Sequence, residues 1–373
     1  MTRQDFLSFC DGTSIKLLDG ASGTALQKKG MPPGVCPEQW ALDNAGHLTE
    51  LQQNYIQAGS HIIATFSFGA NRLKLKNFGL HEKAREINRS LAELSKKAAE
   101  GTGAYVAGDL GPTGQFMKPM GDFTFDEIVD VYKEQVTGLL EGGVDLFMIE
   151  TMIHIQEARA ALIAVKELCD LPVMASMTYE PSGRTITGTS PLAALITLQS
   201  MGADAIGVNC AAGPKQMLPW FEQMAGYAKV PLFAKPNAGL PIIENGEPVY
   251  KMASKEFADT MACLAPLVKI MGGCCGTSPE YISKLASANL DRELISSYNN
   301  VFLTSEAEKA PDFDDEEEMG YEPLCVTSAD AKVIEESLRC YPGRALVDVS
   351  GLNDAQLQKI QPIADRYGAI LIK

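Results

Sequence analysis

From residue 15 to residue 288 the chain alternates eight short apolar runs with eight amphipathic segments. The apolar runs do not alternate strictly with polar residues, which is typical of strands covered on both faces. The predicted strands span residues 15–20, 61–67, 104–111, 145–151, 172–179, 205–210, 231–239 and 268–276. The predicted helices span residues 48–58, 82–99, 125–141, 156–168, 191–201, 215–228, 254–267 and 279–288. Eight consecutive strand–helix units predict a closed parallel (β/α)8 TIM barrel.

A doubly wound open sheet is the alternative architecture for such an alternation. A sheet of that kind that binds a dinucleotide carries a glycine fingerprint that opens a helix. The glycine-rich stretch 108–114 contains Pro112 and is typical of a turn instead. We therefore favour the barrel, whose usual length of ~250 residues also suits this region.

Composition limits the classes of function. The 373 residues are 46% hydrophobic and 21% charged, as in soluble globular proteins, and carry a net charge of −15. Such acidity argues against a nucleic acid partner, which requires a basic face. We see no membrane-length apolar run and no signal peptide at the start. Nine scattered cysteines, an odd number, favour a reducing cytoplasmic location.

Three cysteines follow predicted strands that lie near each other in a barrel. Cys210 ends the sixth strand, and Cys274 and Cys275 end the eighth within Gly-Gly-Cys-Cys-Gly-Thr. Only one strand separates the two, and neighbouring strands lie ~4.8 Å apart, so the three thiolates can share one zinc ion. Three protein ligands leave a fourth position open, which characterises catalytic zinc. A substrate thiol bound there would become a reactive thiolate.

Other roles for these cysteines exist. A single cysteine is commonly a small buried apolar residue. Cys274 and Cys275 could also form a vicinal disulfide, but such a bond is strained and disfavoured in a reducing compartment. No histidine ends a predicted strand, which favours a zinc site made of thiolates alone.

Carboxylates at two further strand ends suggest the class of substrate. Asp19 ends the first strand and precedes small residues whose backbone amides can approach an anionic group. Glu150 ends the fourth strand and can hold an ammonium group. A site that binds one carboxylate and one ammonium suits an amino acid. The alternative is that both acids cap neighbouring helices.

Six segments together resemble the homocysteine S-methyltransferase family over residues 10–290. They are residues 19–27, 68–71, 150–152, 207–210, 236–241 and 272–277. The resemblance implies a zinc barrel in which the thiolate of homocysteine accepts a methyl group to give methionine. It also implies that Cys210, Cys274 and Cys275 are the metal ligands and catalytic residues, and that Asn237 can fill the fourth position before substrate arrives. The residues assigned to substrate binding are Asp19, Gly23, Thr24, Asn71, Glu150 and Asn209.

The last part of the chain differs in composition. Residues 305–322 contain nine acids and one lysine, which is typical of a solvated linker. Residues 323–373 show a βαβαβ pattern, with strands at 324–326, 345–349 and 369–372 and helices at 329–339 and 355–367. We therefore predict a barrel domain at 1–300, an acidic linker at 301–322 and a small α/β fragment at 323–373. A fragment this short needs cover from the barrel or from a homodimer formed through it.

The C-terminal fragment resembles part of a pterin-binding barrel, which follows the homocysteine domain in cobalamin-dependent methionine synthases. That resemblance implies methylcobalamin or another methylcorrinoid as donor, not bound by this chain alone. The sequence has no Asp-x-His-x-x-Gly segment, so we expect a separate corrinoid protein to carry the donor. One alternative is a small donor such as S-methylmethionine or betaine. Another is a non-catalytic subunit that docks a corrinoid protein.

Overall fold

The computed structural model of the chain describes residues 1–12, 14–244, 247–288 and 324–372. Its strands are β1 (Lys16–Leu17), β2 (Ile62–Ala64), β3 (Tyr105–Leu110), β4 (Leu146–Met152), β5 (Val173–Met177), β6 (Ala205–Asn209), β7 (Leu232–Lys235), β8 (Ile242–Glu244), β9 (Glu247–Val249), β10 (Ile270–Met271), β11 (Cys325–Thr327), β12 (Leu346–Asp348) and β13 (Ile370–Ile372). Its α-helices are α1 (Arg3–Cys10), α2 (Gly23–Lys28), α3 (Pro37–Asp43), α4 (Ala45–Gln57), α5 (Arg72–Leu75), α6 (Ala84–Ala99), α7 (Phe125–Glu141), α8 (Ile155–Leu168), α9 (Pro191–Ser200), α10 (Pro214–Ala225), α11 (Ser254–Met261), α12 (Pro279–Ala286), α13 (Ala331–Cys340) and α14 (Asp354–Tyr367).

Eight parallel strands form the barrel in the order β1-β10-β7-β6-β5-β4-β3-β2. A parallel bridge between Leu18 and Ile62 joins the two ends of this order and closes the sheet on itself. The sequence-based prediction of a (β/α)8 barrel is confirmed. All eight strand C-termini therefore meet at one face, which we call the barrel mouth.

The interior of the barrel is filled by one cluster of buried side chains, which includes Leu18, Ala107, Met148 and Phe233. A larger cluster fills the layer between the strands and the helices. Helix α1 contributes Phe6 to the interior cluster and so closes the end opposite the mouth. The motif analysis did not predict α1, although Thr2 and Asp5 form the capping box that marks its start.

Several predicted boundaries differ from the observed ones. Helix α7 begins and ends where the periodicity predicts, whereas α11 stops at Met261 because the chain enters a series of tight turns there. The last barrel strand is predicted at 268–276 but is only Ile270–Met271. Residues 272–276 leave the sheet and form the loop that carries two of the cysteines. The antiparallel hairpin β8–β9, near the mouth, was not predicted.

The C-terminal residues 324–372 form a parallel three-stranded sheet in the order β11-β12-β13 with helices α13 and α14, as the βαβαβ pattern predicts. We call this part the C-terminal module. It packs on the outside of the barrel, where Gln156 and Arg159 of α8 donate hydrogen bonds to the carbonyls of Cys340 and Leu338. Its buried side chains belong to the same cluster as the outer layer of the barrel. The barrel thus supplies cover for the module, and a homodimer stays a prediction.

The division into domains at 1–300 and 323–373 also stays a prediction, since the acidic linker 301–322 lies outside the described residues. Within the described parts of the chain, none of the helices has the length and apolar character required to cross a bilayer.

Candidate metal and substrate site

The three predicted zinc ligands come together at the barrel mouth. Cys210 follows β6 directly, and Cys274 and Cys275 follow β10. Their sulfur atoms all lie within 4.8 Å of one another, and the Sγ atoms of Cys210 and Cys275 are 3.4 Å apart. Tetrahedral zinc with Zn–S bonds of about 2.3 Å requires sulfurs about 3.8 Å apart. The arrangement of the three sulfurs fits a zinc ion.

The backbone at each cysteine is held in a conformation that aims the sulfurs at one point. Cys210 has a positive φ of 54°, which is uncommon outside glycine, and its N–H donates to the carbonyl of Lys235. Cys274 begins a turn closed by the Thr277 N–H. That turn requires glycine at position 276, where φ is 83° and a Cβ would lie 2.4 Å from the Cβ of Tyr250.

The pKa values of the three neighbouring thiols differ, because the thiols hydrogen-bond to one another. Hydrogen bonds from Cys210 and Cys274 lower the pKa of Cys275 to about 3. Hydrogen bonding with Cys210 and Cys275 raises the pKa of Cys274 well above its ordinary value. Without a metal one sulfur therefore holds the negative charge and the others stay protonated. A bound cation would favour ionisation of all three, because it offsets their mutual repulsion.

Asn237 lies next to this cluster and has an unused acceptor. Its Nδ2 donates to the carbonyl of Cys210 at 3.2 Å. Its Oδ1 is buried and has no hydrogen-bond partner among the described residues. A buried acceptor without a partner is unfavourable, and an oxygen ligand to a metal would remove that penalty. The residue suits the role that the family resemblance implies.

The two predicted substrate carboxylates converge on a buried lysine. The Nζ of Lys235, at the end of β7, lies 2.8 Å from Glu150 Oε2 and 3.6 Å from Asp19 Oδ1. Asp19 also accepts a hydrogen bond from the N–H of Ala64 through Oδ2. Burial by itself lowers the pKa of Lys235, but the carboxylates of Glu150 and Asp19 outweigh it, so the pKa is raised. The lysine is therefore charged at neutral pH.

Asn209 connects Glu150 to the ends of strands β4 and β5 through hydrogen bonds. Its Oδ1 accepts hydrogen bonds from the Thr151 N–H and the Ser176 hydroxyl, both at 2.8 Å. Its Nδ2 donates to the Thr151 hydroxyl at 2.7 Å and lies 3.5 Å from Glu150 Oε2. Thr151 has a positive φ of 63°, and these bonds hold it there. Asn209 thus positions the end of β4, and its contact with substrate stays a prediction.

Three other predicted substrate residues lie in the loops and helices after β1 and β2. Gly23 and Thr24 begin α2, and the space where a Cβ of Gly23 would point is open. Asn71 caps α5 by accepting a hydrogen bond from the Lys74 N–H. Its Nδ2 is buried without a partner among the described residues. Their roles in binding substrate stay predictions.

Two charged residues of the site were given no role by the motifs, namely Lys235 and Asp109. Both are charged side chains at the inward-facing positions of otherwise apolar strands. Phe233 and Ala107, two residues earlier, belong to the interior cluster. Since strand side chains alternate between faces, Lys235 and Asp109 also point into the barrel. The same alternation can be followed along the sequence to the end of each predicted strand. It would have identified Lys235 and Asp109 as charged residues that point into the barrel.

The sequence model described as homocysteine S-methyltransferase matches residues 16–289. Methionine synthase from Mycobacterium tuberculosis is 30% identical over 288 residues, which are 72% of this chain and 24% of that protein. The Mycobacterium leprae protein of the same name is 29% identical over the same share. The chain thus spans about a quarter of the length of these relatives.

Among solved structures, the fold is similar to the metallated form of the homocysteine methyltransferase MmuM from Escherichia coli. The TM-score is 0.63 at 22% sequence identity, with 75% of this chain and 99% of that chain covered. The oxidised form of the same protein gives a TM-score of 0.62 at 23% identity. These similarities concern the barrel. Because the sequence model spans most of the chain, including the strand ends that carry the three cysteines, the chain belongs to the homocysteine S-methyltransferase family.

Proposed function

We propose that this chain transfers a methyl group to the thiol of homocysteine, giving methionine, with a zinc ion held by Cys210, Cys274 and Cys275. The observation that carries the proposal is the convergence of three sulfurs within 4.8 Å beside a buried cluster of acids at the barrel mouth. The sulfurs suit a thiol-activating metal, and the acids suit the ammonium of an amino acid. Membership in the family supports both assignments.

The residues of the chain divide the work of binding and orientation. Glu150 and Asp19 bind the substrate ammonium, and Lys235 holds both carboxylates in place at 2.8 Å and 3.6 Å. Asn209 holds the end of β4 so that Glu150 faces the pocket. When bound, zinc would supply a Lewis acid that lowers the pKa of the substrate thiol. In the overall reaction the thiol loses its proton to water. A sulfur–carbon bond forms as the bond between methyl and donor breaks, and the electron pair stays with the donor.

The donor we propose is a methylcorrinoid carried by a separate protein, because the mouth is surrounded by exposed apolar side chains. Phe116 and Met120 lie in the loop after β3, Ile186 after β5, and Leu240 and Ile243 after β7. Ile243 is 71% exposed. Grouped exposed apolar side chains mark surfaces that bind other proteins. A small free donor would not need such a rim.

The proposal is tested with the substitution Cys274→Ser in the full chain. Purified wild type is expected to contain about one zinc ion per chain. The variant should lose both the metal and methyl transfer, because two thiolates hold zinc poorly. Metal content is measured by mass spectrometry and methyl transfer by methionine formation. Cys263→Ser is the matched control, since Cys263 is also half-buried but lies outside the cluster.

Parallel assays with protein-bound methylcorrinoid, free methylcobalamin, S-methylmethionine and betaine identify the donor. Turnover with the corrinoid donors alone is expected. Turnover with betaine or S-methylmethionine alone would contradict the proposed donor and leave the acceptor chemistry standing. Full methyl transfer by metal-free Cys274→Ser would contradict the zinc mechanism itself.

A further inference from the structure

Asp109 lies near the end of β3 on the inner wall of the barrel, and Glu150 lies on the neighbouring strand β4. Two residues before Asp109, Ala107 belongs to the interior cluster, as Met148 does before Glu150. The strand register pairs Asp109 with Met148 of the neighbouring strand. The alternation of strand side chains therefore directs both carboxylates into the mouth of the barrel.

One oxygen of the Asp109 carboxylate is buried and has no hydrogen-bond donor in the described part of the chain. The residue is 5% exposed, and its Oδ1 has no hydrogen-bond partner among the described residues. Its backbone is satisfied, since its N–H donates to the Thr65 hydroxyl and its carbonyl accepts from the Ser67 hydroxyl. Only the side chain is left unpaired. A buried carboxylate without a donor is costly.

The charges around Asp109 show what is missing. The charged groups that act on Asp109 are the carboxylates of Glu150, Asp19 and Glu38 and the cations Lys235 and Lys74. Neither cation is hydrogen-bonded to Asp109 Oδ1. Lys235 is already engaged by Glu150 at 2.8 Å and by Asp19 at 3.6 Å. Burial and then the charge of Glu150 raise the pKa of Asp109 well above its ordinary value. A cationic donor that reached Oδ1 would stabilise the ionised form of Asp109.

We propose that Asp109 is a substrate-binding residue whose unpaired oxygen accepts a hydrogen bond from the α-ammonium group of the amino acid thiol. This inference rests on the proposed function, which supplies homocysteine as the ligand. It adds a specificity to that function. The pocket selects thiols that carry a free ammonium group and discriminates against the same thiol without it, because the latter leaves Asp109 unpaired.

The test compares two ligands by calorimetric titration of the zinc-loaded full chain. The first is homocysteine, and the second is 4-mercaptobutanoate, which is homocysteine without its amino group. The substitution Asp109→Asn should weaken homocysteine binding ~10- to 100-fold, the range expected for a lost charged hydrogen bond. Binding of 4-mercaptobutanoate should change less than about threefold, so the preference for the amino acid collapses.

Two further variants complete the design. Asp109→Ser repeats the comparison with a smaller neutral side chain, in case the amide is not tolerated. Asp204→Asn is the matched control, because Asp204 is also fully buried but pairs with Lys166 and Arg3 away from the mouth. The control should keep the wild-type preference between the two ligands. Zinc content and the melting temperature establish that each variant is folded.

The outcomes separate this inference from the proposed function. If Asp109→Asn weakens both ligands equally, or keeps the wild-type preference, Asp109 has only a structural role and the inference is overturned. If the wild type binds both ligands equally well, the inference also fails, although thiol methylation can still hold. If the wild type binds neither thiol, the proposed function itself fails. A loss of preference confined to the Asp109 variants supports the inference.

Discussion

Lys235 at the barrel mouth and Arg159 beneath the C-terminal module are both almost inaccessible to solvent, at 3% and 0% exposure. Lys235 is stabilised by the carboxylates of Glu150 and Asp19. Arg159 donates instead to the backbone carbonyls of Leu338 and Arg339 and to the side chain of Gln156. At the mouth the buried cation is thus stabilised by ionisable carboxylates. At the junction it is stabilised by neutral acceptors, which include two carbonyls in the last turn of α13.

The two ways of stabilising a buried cation have different consequences for ligand binding. Burial lowers the pKa of Arg159 to about 10, so the guanidinium stays charged at neutral pH without a carboxylate partner. Its contacts satisfy carbonyls that α13 leaves free at its C-terminus, where the helix dipole also favours a cation. The surrounding carboxylates raise the pKa of Lys235 and remain able to bind a second cation. The mouth is thus arranged to receive a charged ligand, whereas the guanidinium at the junction is held by acceptors of the chain itself.

The largest expected effect on stability comes from Lys235→Met. This change leaves two buried carboxylates without a cation, which typically costs about 3–5 kcal/mol. The free energy of unfolding in urea measures it. Lys255→Met is the matched control, because Lys255 forms an exposed pair with Asp259 and should change stability by less than about 0.5 kcal/mol. Equal stability of the two variants would contradict the assigned role of Lys235.

A smaller and more local effect is expected from Arg159→Met. The carbonyls at the end of α13 lose their donor, at a cost of about 1–3 kcal/mol. Because the contact joins the module to the barrel, hydrogen exchange should rise in Ala331–Cys340 and Asp354–Tyr367 and stay unchanged in Ala84–Ala99. Arg89→Met, at an exposed position, is the control. A uniform rise of exchange over the chain would show that the module does not open separately.

A third effect appears only as the pH falls and concerns His154, which is buried at the N-cap position of α8. Burial lowers the pKa of His154 to about 4, so the residue is neutral in the folded chain. In the unfolded chain its pKa is about 6.5. The stability it contributes is present above that value and is lost as pH falls toward 4. Between pH 7 and pH 5 the loss should be about 2 kcal/mol.

Unfolding in urea at both pH values tests this expectation. His154→Leu should remove that share of the pH dependence, while His81→Leu, at an exposed position in a short 3-10 helix, should retain it. If wild type and His154→Leu respond equally to pH, His154 is not a neutral buried group.

Much of the architecture follows from local patterns. The barrel was predicted from eight apolar runs, and α7 begins and ends where the periodicity indicates. The convergence of Cys210, Cys274 and Cys275 was predicted because they follow strands that a barrel brings together, and their sulfurs do lie within 4.8 Å of one another. Zinc binding by them stays a prediction. The convergence could be predicted because parallel strands of a barrel end at one face, so the strand order suffices to place the cysteines.

Other features depend on residues that are far apart in the sequence. No sequence motif predicted three of these features. They are the closure of the barrel end opposite the mouth by Phe6, the junction at Arg159 and the hairpin after β7. Strand parity directs Lys235 into the barrel, but its pairing with Glu150 and Asp19 is seen only in the structure. The unpaired oxygen of Asp109 is likewise invisible in the sequence, since a missing partner can be recognised only when all surrounding groups are placed.

The sequence by itself determined the barrel, the C-terminal βαβαβ unit and the identity of the three thiols. Periodicity and residue chemistry suffice for these, because each is encoded within a few turns or strand residues. Only the tertiary structure decided which charges meet at the mouth, how the module is attached to α8 and which acid lacks a partner. These depend on distances between side chains and on their removal from water, and no local pattern encodes either quantity.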